Sequence, residues 1–272
     1  MDQDDLPVGR ILSRREVLQL LSGAGGTFLL GGGAAHASIA GTSASASIPA
    51  RANGEPLPDC IVRPEMTEGP YFTNERLERS DIRLEPSTGE VKPGLPLTLT
   101  FNVSQIRDGA CAPLAGALVD IWQCDAHGRY SAFNDNAFGF DTRGESFLRG
   151  YQRTDEYGAA SFATIYPGWY PGRAVHIHFK IRTEDAEGQA YEFTSQLFFD
   201  ESLNDIVHAR EPYAEHGRRN RLNTRDGIFS KELLLDVTSQ DDAYDATFGI
   251  GLDLTDAPVG RSDGFGRRRR RR

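Results

Sequence analysis

The sequence predicts an all-β domain, a sandwich or barrel of short strands. Two observations carry this. Short runs rich in β-branched and aromatic residues recur along the chain, separated by Gly- and Pro-containing turns. Beyond the N-terminal region, no helix-period segment longer than about ten residues stands out. Taken in order, residues 97–103 (LTLTFNV) alternate, and 117–122 (ALVDIW) are similar. Residues 159–165 follow the turn at 154–158, and 175–181, 192–199, 231–237 and 247–252 supply further strands. Pro93-Gly94, Asp108-Gly109 and Glu187-Gly188 are turn signals between them. Residues 203–221 read as a short helix and loop, and no internal repeat is visible.

Composition sets the bounds. The chain has 272 residues, 39% hydrophobic and 25% charged, which supports a well-packed core and excludes a disordered, collagenous or disulfide-packed chain. The formal net charge is −9, although residues 267–272 are six consecutive arginines, so the body is more acidic than the total. An acidic body argues against nucleic acid as a partner, because phosphate neutralisation needs a basic face. The arginine run fits a disordered tail over 256–272, with no part in catalysis.

The N-terminus reads as an address. Ser13-Arg14-Arg15-Glu16-Val17-Leu18 precedes a weakly apolar, Gly-rich stretch that ends in Ala35-His36-Ala37. This is the pattern of a twin-arginine signal peptide over residues 1–37. A membrane helix there is the weaker reading, since residues 23–33 contain six glycines. No other stretch approaches the ~18–20 apolar residues of a span. The expected protein is therefore exported to the periplasm or beyond, with no stable membrane anchor after cleavage. Residues 38–59, mostly Ser and Ala at the start, read as a flexible linker, and 60–255 as the domain. Of the three cysteines, Cys60 is expected to pair with Cys111 or Cys124, leaving one thiol.

The chemistry concentrates in a few segments. His176-Ile177-His178 lies within a predicted strand, so both imidazoles share one face and form half a metal site. The alternative is a pair of histidines hydrogen-bonded on a half-buried strand. Tyr170 sits in the Gly/Pro loop Trp169-Tyr170-Pro171-Gly172-Arg173, and Tyr130 follows a strand exit. A phenolate at neutral pH needs a strong positive charge nearby, because its reference pKa is about 10. Two Tyr and two His would make a hard, anionic site suited to ferric iron. A zinc or ferrous site of His176, His178 and a carboxylate, Asp125 or Glu68, competes with it.

These residues stand in a wider pattern. Thr67-Glu68-Gly69-Pro70-Tyr71-Phe72, Val119-Asp120-Ile121-Trp122-Gln123-Cys124-Asp125, Gly128-Arg129-Tyr130, Pro167-Gly168-Trp169-Tyr170-Pro171, Arg173-Ala174-Val175-His176-Ile177-His178-Phe179 and Thr194-Ser195-Gln196-Leu197-Phe198-Phe199 occur in that order. Together they resemble the intradiol ring-cleavage dioxygenases, the family of catechol and protocatechuate dioxygenases, in its exported single-domain branch. The resemblance implies a mixed β-sandwich with long loops and non-haem Fe(III) held by Tyr130, Tyr170, His176 and His178. It implies that Tyr170 leaves the iron when substrate binds, that Arg173 steadies charge on the activated ring, and that Gln196 holds Arg173 or substrate. Thr67, Gly69, Pro70 and Tyr71 match the segment lining the substrate mouth. The implied partners are a small aromatic diol and O2, the ring being cut between its hydroxylated carbons to a cis,cis-muconate-type product. Asp125 and His127 could tune Tyr130, or simply form a solvated turn.

Only five residues separate Tyr170 from His176, fewer than in many members, so a more open mouth is expected. Residues 38–58 do not match the helical dimerisation segment of the cytosolic enzymes, which leaves a homo-oligomer open. The competing non-enzymatic reading is a transthyretin-like β-sandwich binding module, suggested by residues 113–117 and 154–158. It gives the Tyr and His residues no role.

Overall fold

The structure is a computed structural model that describes residues 61–107, 110–184, 188 and 190–255. The expected signal, the linker, Cys60 and the arginine tail lie outside the described residues. Eleven strands and one α-helix are present in this part of the chain: β1 Pro96–Arg107, β2 Ala110–Pro113, β3 Leu118–Trp122, β4 Asn134–Asp135, β5 Phe140–Asp141, β6 Arg149–Arg153, β7 Ala159–Ile165, β8 His176–Glu184, β9 Ala190–Phe198, α1 Glu201–His208, β10 Asp236–Gln240 and β11 Ala243–Leu252. Among the described residues, no helix is long and apolar enough to cross a membrane.

The strands form two open sheets and a small hairpin. One sheet runs β10-β11-β1-β2, with β7 also paired to β1. The long strand β1 pairs in parallel with β11 along one edge, while β7 and β2 share the other edge, both antiparallel. The second sheet is antiparallel, in the order β6-β3-β8-β9. The single parallel pair makes the sandwich mixed, and β4 pairs only with β5.

Alternation along each strand decides what faces inward. From the second sheet, Val119, Ile121, Ile177, Phe179, Ile181 and Leu197 are buried in the main core. They meet the first sheet through rings: Phe179 lies 5.3 Å from Phe101 and 5.4 Å from Phe248, centroid to centroid. The opposite face is polar. Register places Trp122 beside His178 and His178 beside Gln196, and likewise Asp120 beside Lys180 and Lys180 beside Thr194. That polar face is buried as well, because residues 66–79 cross it as a strap. Met66 N–H donates to Thr194 O at the β9 edge (2.8 Å), and Arg79 N–H donates to Tyr151 O at the β6 edge (3.1 Å). Between these ends Glu68 forms a buried ion pair with Lys180.

The strand expected over 231–237 is corrected. Lys231–Leu233 is a 3-10 turn, and β10 begins only at Asp236. This segment passes from one sheet to the other: Leu235 N–H donates to Phe198 O (2.8 Å) in the second sheet before β10 joins β11 in the first. The turn also delivers Leu233 into the core. Strands β2, β4, β5 and β6 lie outside the expected set. Of the cysteines, Cys111 is disulfide-bonded and Cys124 is a buried free thiol, so Cys124 leaves the pairing.

Helix α1 is capped by Asp200, whose carboxylate accepts from Ser202 N (2.8 Å) and Leu203 N (3.4 Å). At its end His208 Nδ1 donates to Asn204 O (2.9 Å), and Nε2 is buried without a partner. Burial lowers the His208 pKa to about 4. The unfolded reference is about 6.5, so between these values the unfolded chain binds a proton that the folded chain refuses. Stability is then full above about pH 6.5 and falls as pH drops towards 4. His208→Phe keeps the ring packed against Tyr166 and Tyr213 and is expected to remove about 1–3 kcal/mol of that acid-side loss. Urea titrations at several pH values measure it, and an unchanged pH slope would refute it.

Candidate metal and active site

Tyr130 and Tyr170 reach one place because their loops touch backbone to backbone. After β3 the chain turns through residues 125–129. There Asp125 Oδ1 accepts from His127 N (3.0 Å) and Arg129 N (2.9 Å), and Oδ2 accepts from Arg129 Nε (2.9 Å). Gly128 has φ +80°, and a Cβ on it would stand 2.2 Å from the Trp169 carbonyl oxygen. A Cβ on Gly168 would equally stand 2.2 Å from the Asp125 carbonyl oxygen. Only glycine allows this approach, and it sets Tyr130 and Tyr170 with ring centroids 5.6 Å apart.

Strand β8 brings the histidines to the same point. His176 Nε2 lies 3.0 Å from His178 Nε2 and 3.4 Å from Tyr130 Oη. The Tyr170 ring lies 5.5 Å from the His176 ring. None of the four is more than 7% exposed, so the cluster is dry. His176 Nδ1 lies 2.7 Å from the Ala174 carbonyl, which can only accept, so Nδ1 carries the proton and Nε2 presents a lone pair. Burial lowers the His176 pKa to about 3, with the Arg173 charge adding to it. Burial, then the His176 charge, holds His178 far below its ordinary value too. Burial thus favours the uncharged form of both imidazoles, the form metal ligation requires. Burial pushes the Tyr130 phenol well above its ordinary value, so ionising it demands an intense local positive charge.

The residues present fit a metal ion. Two facing nitrogens 3.0 Å apart lie within reach of one centre with metal–nitrogen bonds of about 2.1 Å. The buried, unpartnered Nδ1 of His178 leaves Nε2 as the atom through which that ring acts. Two phenol oxygens and two imidazole nitrogens form a hard set that favours a highly charged ion. The carboxylate alternatives fail. Asp125 is consumed by its own turn, and Glu68 by Lys180. Among the described residues no group of three or more His, Cys, Asp or Glu is arranged to hold a metal. Asp125 shapes the turn that delivers Tyr130, and His127 faces Glu215 (3.3 Å).

Around the four sit the other expected residues. Arg173 is buried; its Nη2 donates to Gln196 Oε1 (2.5 Å), its Nη1 to Tyr170 Oη (3.4 Å) and its Nε to Asp226 Oδ2 (3.0 Å). Gln196 Nε2 in turn donates to Thr67 O (3.3 Å). Gly69, at φ +72°, presses its backbone on His178, where a Cβ would meet Cε1 at 3.2 Å. Tyr71 stacks on Tyr130 at 4.3 Å and 10°. Pro70 is exposed on the solvent side of that strap.

Sequence reasoning missed several neighbours. Asp226 grips both Arg173 and Ala174 N (2.8 Å) from a patternless loop. Trp122 stacks on His178 at 5.0 Å and 8°. Arg149, buried, donates to Tyr71 O (3.1 Å) and to Ser131 O (2.6 Å), tying the strap to the residue after Tyr130. Register along β3 would have signalled Trp122; nothing local signals Asp226.

Comparison with known proteins identifies the family. A family model described as Dioxygenase matches residues 67–246. An intradiol ring-cleavage dioxygenase from Tetranychus urticae is 33% identical, with a TM-score of 0.61 over 75% of this chain and 98% of its own. The dioxygenase domain of a dioxygenase carbohydrate-binding protein fusion from Streptomyces sp. SirexAA-E is also 33% identical, with a TM-score of 0.50 over 71% of this chain and 99% of its own. The 3-chlorocatechol 1,2-dioxygenase from Rhodococcus opacus 1CP, at 24% identity and a TM-score of 0.50 over 70% of this chain and 72% of its own, shares the fold. The chain belongs to the intradiol ring-cleavage dioxygenases.

Proposed function

We propose that the protein uses non-haem Fe(III), held by Tyr130, Tyr170, His176 and His178, to cleave a catechol-type ring between its hydroxylated carbons. The product is a cis,cis-muconate-type diacid. One observation carries the reading: two buried imidazoles bring their Nε2 atoms within 3.0 Å of each other beside two buried tyrosines. Bound there, iron(III) supplies Lewis acidity and a template that prepares the diol for O2.

The chain's own groups do the rest. Tyr170 sits on a loop turned by Gly172 (φ +91°), and its Oη is the atom placed to take a proton from an arriving diol. Arg173 stands beside that oxygen as a fixed cation for charge that develops on the ring. Gln196 and Asp226 hold the guanidinium so that it need not reorganise during reaction. Burial keeps water out and strengthens each of these interactions. Thr67, Gly69 and Tyr71, on the strap over the sheet, close the side facing the diol.

Tyrosinate bound to ferric iron absorbs visible light, so freshly purified protein is expected to be red-brown. About one iron per chain and catechol-dependent oxygen uptake should accompany the colour. Colourless protein that consumes oxygen with catechol would overturn the ligand set; coloured, iron-loaded protein with no uptake would overturn the reaction. Export by the twin-arginine route, supported by Arg14, Arg15 and the Ala35-His36-Ala37 site, places this activity in the periplasm or outside the cell.

A further inference from the structure

The small hairpin β4–β5 belongs to neither sheet, yet it is built with care. Asp135 Oδ1 accepts from Ala137 N (2.9 Å) and Phe138 N (3.1 Å), which fixes the tip. Gly139, at φ +74°, takes the left-handed conformation that closes it. The other carboxylate oxygen of Asp135 accepts from Tyr71 Oη (2.5 Å), and Tyr71 is the ring stacked on Tyr130. One carboxylate thus ties the tip to the strap that covers the candidate ligands.

At that tip Phe138 is 42% exposed. A single exposed phenylalanine is ordinary. This one sets its ring against Tyr170, centroids 6.1 Å apart and inclined at 61°. Tyr170 itself is only 7% exposed, so Phe138 covers it on the solvent side. On the reading above Tyr170 takes the proton of an arriving diol, and the short 171–175 connection supplies little bulk of its own.

The geometry points to Phe138 as a specificity-determining residue: an apolar wall at the mouth that limits the size of the substituent a catechol can carry. The inference rests on the ring-cleavage reading above. A rigid wall discriminates by sterics, and one methylene in an apolar pocket changes selectivity by about 10–200-fold. Because the hairpin backbone is held by Asp135 and Gly139 rather than by the Phe138 ring, changing that ring should leave the fold intact.

The test compares oxygen uptake by iron-loaded wild type, Phe138→Ala and Phe138→Trp with catechol and with 4-tert-butylcatechol. The ratio of kcat/KM for the bulky diol over catechol is expected to rise about tenfold in Phe138→Ala. It should fall below wild type in Phe138→Trp. Tm should stay within about 2 °C in both, as for surface substitutions. An unchanged ratio, or equal losses with both diols, would overturn the inference, because a shielding role moves the two substrates together. If wild type takes up no oxygen with either diol, the ring-cleavage reading itself fails and the wall falls with it. Wild-type uptake with an unmoved ratio sinks the wall alone.

Discussion

His178→Ala is expected to lose bound iron and catechol-dependent oxygen uptake together, each to below about a hundredth of wild type. Groups that merely orient a ligand are worth about 10–100-fold in metal affinity, and His178 Nε2 is itself a proposed donor. Its ring is fully buried, clamped between Trp122 at 5.0 Å and the Gly69 backbone. Alanine therefore leaves a hole that no neighbouring donor can enter. Some stability goes too, so the assay pairs iron content with circular dichroism. Folded, colourless, inactive protein is the expected result. Folded protein retaining full iron and full uptake would remove His178 from the ligand set.

Asp226→Ala is expected to destabilise the protein by about 3–5 kcal/mol, the cost of stripping a buried charge of its partner. Burial pushes the Asp226 carboxyl upward, but Arg173 and the N–H groups of Ala174 and Ile228 outweigh it and hold the pKa below the usual carboxylate range. Removing it takes from Arg173, 5% exposed, the carboxylate to which its Nε–H donates. Activity should fall as well, since the guanidinium loses the anchor opposite Gln196. Thermal unfolding with and without iron measures the first effect, and kcat the second. A stability change under about 1 kcal/mol would mean that water replaces the carboxylate, and the clamp would then not be structural.

How much of this could be read in the sequence varies by residue. His176 and His178 were legible as a pair because a strand repeats every two residues, and β8 places both on the polar face with Lys180. Tyr130 and Tyr170 were legible through the family pattern, since no spacing rule says that two loops will meet through Gly128 and Gly168. Asp226 was illegible: it lies far along the chain from Arg173, in a loop without periodicity, and only tertiary packing joins them. Strand β6 was hidden because its residues alternate poorly, being covered on one face by the strap. Residues 231–233 looked like a strand, but the need to cross between sheets overrode their local preference.

The parallel pairing of β1 with β11 has a consequence for how the molecule is made. Leu97 meets Thr164 of β7 on one side, but its partner on the other side, Tyr244, comes much later in the chain. At synthesis rates of about 5–20 residues per second, β1 waits on the order of ten seconds for that neighbour. The sheet carrying His176 and His178 is complete by Phe198, well before then. That sheet is thus translated first, and the ring contacts of Phe248 with Phe101 and Phe179 follow only when β11 is made. Until they do, one edge of β1 stays unpaired, an edge of the kind on which other chains can add.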